Sequence, residues 1–177
     1  MKDRALAERC RKIRLLLTDV DGVMTDGTLL LLPGGGEGKS FHVRDGFGIV
    51  LAQRAGLRVG ILSGRSSEVV SVRAQELGIG VVRQGILDKA AAFRDILKEE
   101  ALDPWEVAYV GDDLNDLPVL SEVGLSAAPA DAPLDVRSQV FMVLDAPGGR
   151  GCLREFVEAI LRARGDWEQA VSTLGTS

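Results

Sequence analysis

Leu15-Leu16-Leu17-Thr18-Asp19-Val20-Asp21-Gly22-Val23-Met24-Thr25-Asp26-Gly27 completes an apolar run, residues 13–18, and then turns polar at two carboxylates two residues apart. Three further runs, residues 57–62, 79–82 and 107–110, are likewise short, apolar and β-branched or leucine-rich. Runs of this length without polar alternation mark strands buried on both faces, as in a parallel sheet. Between them, residues 46–55, 66–77 and 87–102 repeat apolar side chains at three and four positions, the period of an amphipathic helix. Strand and helix alternate, so the chain is expected to fold as an α/β protein with a doubly wound, mostly parallel sheet and right-handed crossovers. Ligands in such a sheet bind beyond the carboxyl ends of the strands, which is where Asp19 and Asp21 fall.

One segment departs from the alternation. Residues 29–32 and 40–43 flank Pro33-Gly34-Gly35-Gly36-Glu37-Gly38, which reads as a β-hairpin with a flexible tip, an insertion over about residues 28–43. Beyond Asp112 the pattern predicts a short helix to Ser121 and strands around 124–127 and 140–143. Pro147-Gly148-Gly149-Arg150-Gly151 then breaks the pattern before a final helix over residues 152–164. Residues 165–177 hold Trp167 and Leu174 and are expected to be a short docked helix or a frayed end. With no repeat and no linker, residues 1–177 read as one domain, with a C-terminal tail over about 147–177.

A chain of 177 residues is long enough for one real core, and 46% hydrophobic with 27% charged residues excludes disorder. Lys and Arg total 21 against 26 Asp and Glu, so the net charge of -5 gives nucleic acid no long-range attraction and no such partner is expected. Cys10 and Cys152 are the only cysteines and stand apart from the one histidine, which favours neither a disulfide framework nor zinc and suits a reducing cytoplasm. Residues 1–12 are charged and the longest apolar runs are too short to span a bilayer, so neither secretion nor membrane insertion is expected.

Two carboxylates held together in a sheet crevice repel each other, so Asp19 and Asp21 imply a compensating cation, proton transfer, or both. A second cluster, Gly111-Asp112-Asp113-Leu114-Asn115-Asp116, follows the run 107–110, and folding is expected to set it beside the first. Oxygen ligands of this kind suit Mg²⁺, which binds through one or two carboxylates plus substrate phosphate. The run 57–62 ends in Ser63-Gly64-Arg65, where a hydroxyl and the first amides of the following helix are suited to hold a phosphate, and Lys89 adds a point charge. A nucleophile, a neighbouring acid and donors that neutralise the transferring oxygens are the parts phosphoryl transfer needs.

These four segments, in this order and at these strand ends, resemble the four motifs of haloacid dehalogenase superfamily phosphatases over nearly the whole chain. The resemblance implies a Mg²⁺-dependent phosphomonoesterase working through an aspartyl-phosphate, with Asp19 as nucleophile and Asp21 as general acid and then base. It further implies Ser63 and Lys89 as phosphate binders, and a metal held by Asp19, Asp112 and the Asp21 carbonyl. Asp113 and Asp116 take supporting roles. The chain has no room for a cap domain after Asp19 or Ser63, so the capless type is implied, in which a neighbouring copy closes the pocket.

More narrowly, several stretches resemble the superfamily's octulosonate-type sugar acid phosphatases, homotetramers of lipopolysaccharide sugar synthesis. They are Asp19 to Gly27, Phe41-His42-Val43-Arg44-Asp45-Gly46-Phe47-Gly48, Ser63-Gly64-Arg65, Tyr109-Val110-Gly111-Asp112-Asp113-Leu114 and Gly148-Gly149-Arg150-Gly151 with Arg154-Glu155. That likeness implies an eight-carbon sugar acid 8-phosphate as substrate, bound by Gly64 and by Arg44, Arg65 and Arg150, whose guanidinium forks match a carboxylate. It also brings the hairpin and the 148–151 segment to a neighbour's site as a mobile lid. Asn115 is a departure shared with sialic-acid-type phosphatases, so a nine-carbon sugar acid 9-phosphate is the alternative substrate; Arg65 after Gly64 favours the eight-carbon acid.

Plainer readings compete at several positions. Ser63 alone could be a helix cap, Lys89 a solvated helix residue, and Arg44 and Arg65 surface ion-pair partners. Asp45, Asp131 and Asp135 read as caps or solvated charges, His42 as a packing or substrate-facing residue, and Trp105 and Trp167 as structural. A phospho-receiver domain uses a similar residue set, but its accepting Asp would follow the third strand, where Gly78-Ile79-Gly80-Val81-Val82-Arg83 offers none. An idle regulatory subunit would have lost Asp19 or Asp21, and both are present.

Overall fold

A computed structural model of the chain describes residues 2–172. In chain order the elements are α1 (Lys2–Cys10), β1 (Leu15–Thr18), β2 (Leu30–Leu31), β3 (Glu37–Gly38), α2 (Val43–Arg54), β4 (Arg58–Leu62), α3 (Glu68–Glu76) and β5 (Val81–Arg83). They continue with α4 (Lys89–Glu100), β6 (Val107–Val110), α5 (Leu117–Glu122), β7 (Leu125–Ala128), α6 (Leu134–Arg137), β8 (Met142–Val143), α7 (Cys152–Arg164) and α8 (Trp167–Ser172). Six strands form one parallel sheet in the order β5-β4-β1-β6-β7-β8, and β2 pairs with β3 in a separate antiparallel hairpin. This is the doubly wound α/β architecture expected from the alternating runs.

β1 is central because all its side chains are buried and alternate between two apolar layers. Leu16 joins Ile49 and Leu51 of α2 and Phe156 and Ile160 of α7 on one face. Leu15 and Leu17 meet Phe93 and Ile96 of α4 and Val119 and Leu120 of α5 on the other. Each such buried leucine contributes about 1.5–3 kcal/mol. The register sets Thr18 level with Ile61 of β4 and Val110 of β6, so the strand ends that follow open on one edge.

The structure departs from the sequence reading at several points. The charged N-terminus carries a helix, α1, because Arg4-Ala5-Leu6-Ala7-Glu8-Arg9 are strong helix formers; among its described residues, buried Cys10 and partly buried Leu6 join the apolar core, too sparse for a periodic signal. The hairpin returns early: β3 is Glu37–Gly38, whereas residues 40–42 are irregular and Val43 already begins α2. The helix α3 starts at Glu68, five residues past Ser63, and the amide of Ser67 is taken by the Gln84 side chain at 2.9 Å. Trp105, read as structural, is exposed.

The glycine-rich segment before α7 is hydrogen-bonded within its own chain. Gly148 donates its amide to Asp131 Oδ1 at 2.9 Å, and the amides of Asp145 and Ala146 donate to the Glu155 carboxylate, each at 2.9 Å. Buried Asp45, reaching across from α2, accepts from the amides of Gly151 (3.1 Å) and Arg154 (2.7 Å), capping the N-terminus of α7. Within the tail, α8 docks through Ala170, and Arg162 lies 4.5 Å from the Trp167 ring; Leu174 falls outside the described residues.

Among the described residues no helix is long and apolar enough to cross a membrane. Both cysteines are free and buried, and burial pushes their thiols up to about 11 for Cys10 and about 12 for Cys152.

Candidate active site

Four neighbouring strands deliver the site: Asp19 leaves β1, Ser63 leaves β4, Asp112 leaves β6, and Lys89 opens α4 after β5. Asp19, Asp21, Ser63, Gly64, Arg65, Asp112, Asp113 and Asn115 line one small cavity of about 160 Å³ beyond the strand ends. Asp19, Ser63 and Lys89 are buried, so the acid floor is dry and its charges act on one another strongly.

Lys89 Nζ is the cation of that floor, 3.1 Å from Asp19 Oδ1 and 2.6 Å from Asp116 Oδ1. Burial alone would lower its pKa, but Asp19 and Asp116 outweigh burial and raise it, so Lys89 stays charged. Asp116 is fully enclosed: its Oδ1 also accepts from the Tyr109 hydroxyl, and its Oδ2 accepts from the amides of Asp112 (3.0 Å) and Asp113 (3.2 Å). Burial and the Asp116 charge hold the Tyr109 hydroxyl well above its ordinary range, so it remains a donor. Asp113 is exposed and caps the turn Leu114–Asp116, accepting from the Leu114 amide at 2.7 Å.

The carboxylates are over-concentrated for the one lysine. Burial drives Asp19 up to about 6 despite Lys89, and burial with repulsion from Asp19, Asp116 and Asp113 drives Asp112 up to about 8. One oxygen each of Asp19, Asp112 and Asp116 lie within 4.8 Å of one another. Asp116 is already saturated with donors, whereas Asp112 Oδ1 is buried with no hydrogen-bond partner. An orphaned buried oxygen facing a second acid fits a hard cation held by Asp19 and Asp112. Gly22 makes this approach possible: it has a φ of +93°, and a Cβ there would overlap the Asp112 carboxylate.

Asp21 stands apart from that triad. Its Oδ1 is ion-paired with Lys39, and its Oδ2 lies 3.6 Å from Arg65 Nε. Arg65 also pairs with Glu37 at 3.0 Å, so β3 and the residue after it close a ring around the second acid. Lys39, Glu37 and Tyr109 are the participants missed at the sequence level. A lysine beside a glycine-rich turn and a tyrosine inside an apolar strand carry no signal of their own.

Arg44 and Arg150 are not brought to the acids. They line a separate cavity of about 600 Å³ beside the 22–27 loop, with Asp26, His42 and Gly149, and Arg150 reaches Asp26 at 4.0 Å. Of the three expected arginines, only Arg65 shares the cavity with Asp19.

Residues 41–124, which include Ser63, Lys89 and Asp112, match the haloacid dehalogenase-like hydrolase family. The chain is 43% identical over 162 residues to 3-deoxy-D-manno-octulosonate 8-phosphate phosphatase of Escherichia coli K12, covering 92% of this chain and 86% of that one. Its structure is similar to that of 3-deoxy-D-manno-octulosonate 8-phosphate phosphatase from Yersinia pestis, with a TM-score of 0.90 and 41% identity over 93% of this chain and 89% of that one. It is also similar to the Moraxella catarrhalis enzyme of the same name, solved in complex with magnesium ion, phosphate ion and KDO, with a TM-score of 0.92 and 33% identity over 95% and 97% of the two chains.

Proposed function

The chain belongs to the haloacid dehalogenase-like hydrolases, as a capless phosphoric monoester hydrolase, and from that premise we propose that it removes phosphate from 3-deoxy-D-manno-octulosonate 8-phosphate. The observation that carries this reading is the convergence of Asp19, Ser63, Lys89 and Asp112 from four adjacent strand ends, with Asp21 and Arg65 on the rim. The identities to enzymes of that activity support the substrate, and Arg65 supplies a two-pronged partner for a sugar acid carboxylate.

Asp19 attacks phosphorus in line, forming an Asp19 O–P bond as the bond to the sugar oxygen breaks, and Asp21 gives that oxygen its proton. Asp21 then takes a proton from water as the water oxygen bonds to phosphorus and the Asp19 O–P bond breaks, releasing phosphate. Lys89 holds Asp19 and neutralises charge beside it, and the Ser63 hydroxyl, which lines the same cavity, would donate to a phosphoryl oxygen. Asp19 and Asp112 would hold Mg²⁺, with the Asp21 carbonyl completing the contact by family likeness. When bound, the ion supplies neutralisation of the transferring phosphoryl group.

The active form is a homo-oligomer, a tetramer by family likeness. Support comes from the hairpin, where Leu29, Leu30, Leu31 and Leu32 are all exposed, Leu31 to 72%. Two buried thiols suit a reducing cytoplasm, and the product serves lipopolysaccharide sugar synthesis.

The test is Mg²⁺-dependent phosphate release from octulosonate 8-phosphate, nine-carbon sugar acid 9-phosphates and common hexose phosphates, with Asp19→Ala as the blank. Strong preference for octulosonate 8-phosphate is the expected result. Preference for a nine-carbon acid would keep the chemistry and overturn the substrate, and release from none would overturn the enzyme reading.

A further inference from the structure

The ring Lys39, Asp21, Arg65 and Glu37 joins the hairpin to the rim of the acid site, and its two cations are not equivalent. The Lys39 side chain is 1% exposed and ion-paired with Asp21 Oδ1, whereas that of Arg65 is 47% exposed and stands 3.6 Å from Oδ2. A buried lysine is costly to keep unless its partner stays in place, so the Lys39 contact is the fixed one. The longer, solvent-facing Arg65 contact is the one that yields to a substrate. The Asp21 carboxylate is thus gripped at one oxygen and releasable at the other, and Asp21 and Arg65 both line the cavity that holds Asp19.

We infer that Lys39 is a positioning residue for proton transfer: it anchors Asp21 Oδ1 so that Oδ2 carries the proton. Oδ2–H gives its proton to the sugar oxygen as that oxygen's bond to phosphorus breaks and the Asp19 O–P bond forms. In the return step Oδ2 takes a proton from water as the water oxygen bonds to phosphorus and the Asp19 O–P bond breaks. The hairpin therefore takes part in the chemistry of its own chain, through a side chain just beyond β3, and this role is separate from whatever its exposed leucines contact. The inference rests on the reading of Asp21 as the proton carrier.

The test compares kcat/KM for three esters with Mg²⁺ present: octulosonate 8-phosphate, a pentose 5-phosphate that lacks the carboxylate, and p-nitrophenyl phosphate, whose leaving group needs no proton. kcat/KM reports steps up to departure of the leaving group, so it isolates proton donation. Removing a positioned proton donor costs about 10²-fold or more. Lys39→Met is expected to lower both alkyl esters by about that factor and the aryl ester at least about tenfold less, with Lys39→Arg recovering most of the loss. A purely structural lysine would lower all three together, and a carboxylate-binding lysine would spare the pentose ester; either result overturns the inference. Asp21→Asn is the reference. If it does not discriminate alkyl from aryl esters, the reading of Asp21 fails. If it does and Lys39→Met does not, only the role of Lys39 fails.

Discussion

Gly149 donates its amide to the Val23 carbonyl at 2.8 Å, tying the approach to α7 onto the loop that leaves β1 with Asp19 and Asp21. Gly149 has a φ of +62°, and a Cβ there would overlap the backbone of Thr25 and Asp26. Gly149→Ala is expected to cost about 1–3 kcal/mol through strain and to lower turnover by displacing the loop. Gly80→Ala, in open space, is the control. Equal urea midpoints for the two variants would remove this tie from the account.

The metal-free protein is expected to lose stability as pH rises toward 8. Asp112 titrates near 8 in the folded chain, against an ordinary value of 3.8, so between those values the folded state keeps a proton that the unfolded state has released. This contribution is full below about 3.8 and falls by up to about 1.4 kcal/mol per pH unit until the folded group ionises. Asp19, raised to about 6, adds to the lower part of that window. Urea midpoints measured with chelator at pH 6 and 8.5 check the sign, and a metal-free protein as stable at 8.5 as at 6 would contradict it.

Asp112→Asn is expected to abolish Mg²⁺-dependent turnover without destabilising the metal-free fold. The substitution removes a carboxylate that burial and three neighbouring acids already oppose. The stabilisation that Mg²⁺ gives the parent should vanish in the variant, since an ion stabilises only a state that binds it. Thermal melts of both proteins with and without Mg²⁺ test the pair of statements together.

Asp116→Ala is expected to be far more damaging to the fold, by about 3–5 kcal/mol, because it strips a buried cation of its shorter partner. Tyr109 and the amides of Asp112 and Asp113 lose their acceptor at the same time. Breaking the exposed pair Lys98 with Asp95 is expected to cost under about 1 kcal/mol. Comparable urea midpoints for the two variants would show that Asp116 is not the keystone described.

Leu31→Glu is expected to lower the oligomer number without unfolding the protomer. The substitution places charge on a solvent-facing leucine of the hairpin, away from both apolar layers. Sedimentation of the parent and the variant decides it: a monomeric parent, or an unchanged oligomer in the variant, removes the hairpin from the interface.

The parts of the fold legible beforehand are those where burial is continuous. Residues 107–110 and 152–164 coincide with β6 and α7, because a strand enclosed on both faces and a helix with a regular apolar stripe leave strong periodic signals. α1 was hidden because, among its described residues, only Leu6 and Cys10 join the apolar core, while Arg9 docks through the Gly124 carbonyl and the Phe141 ring. In the site, the acids and Ser63 announce themselves by standing at the ends of apolar runs, a local pattern. Lys39, Glu37 and Arg150 depend on how a glycine-rich hairpin and a distant turn bend back, which is set by tertiary contacts between segments far apart in the chain.

The tie between Gly149 and Val23 also bears on synthesis. A ribosome delivers Asp19 and Asp21 well before the turn that braces them, so a nascent chain holds both acids long before they have a finished surround. Hydrolytic competence would then switch on late and abruptly, as α7 clears the exit tunnel, rather than growing with chain length.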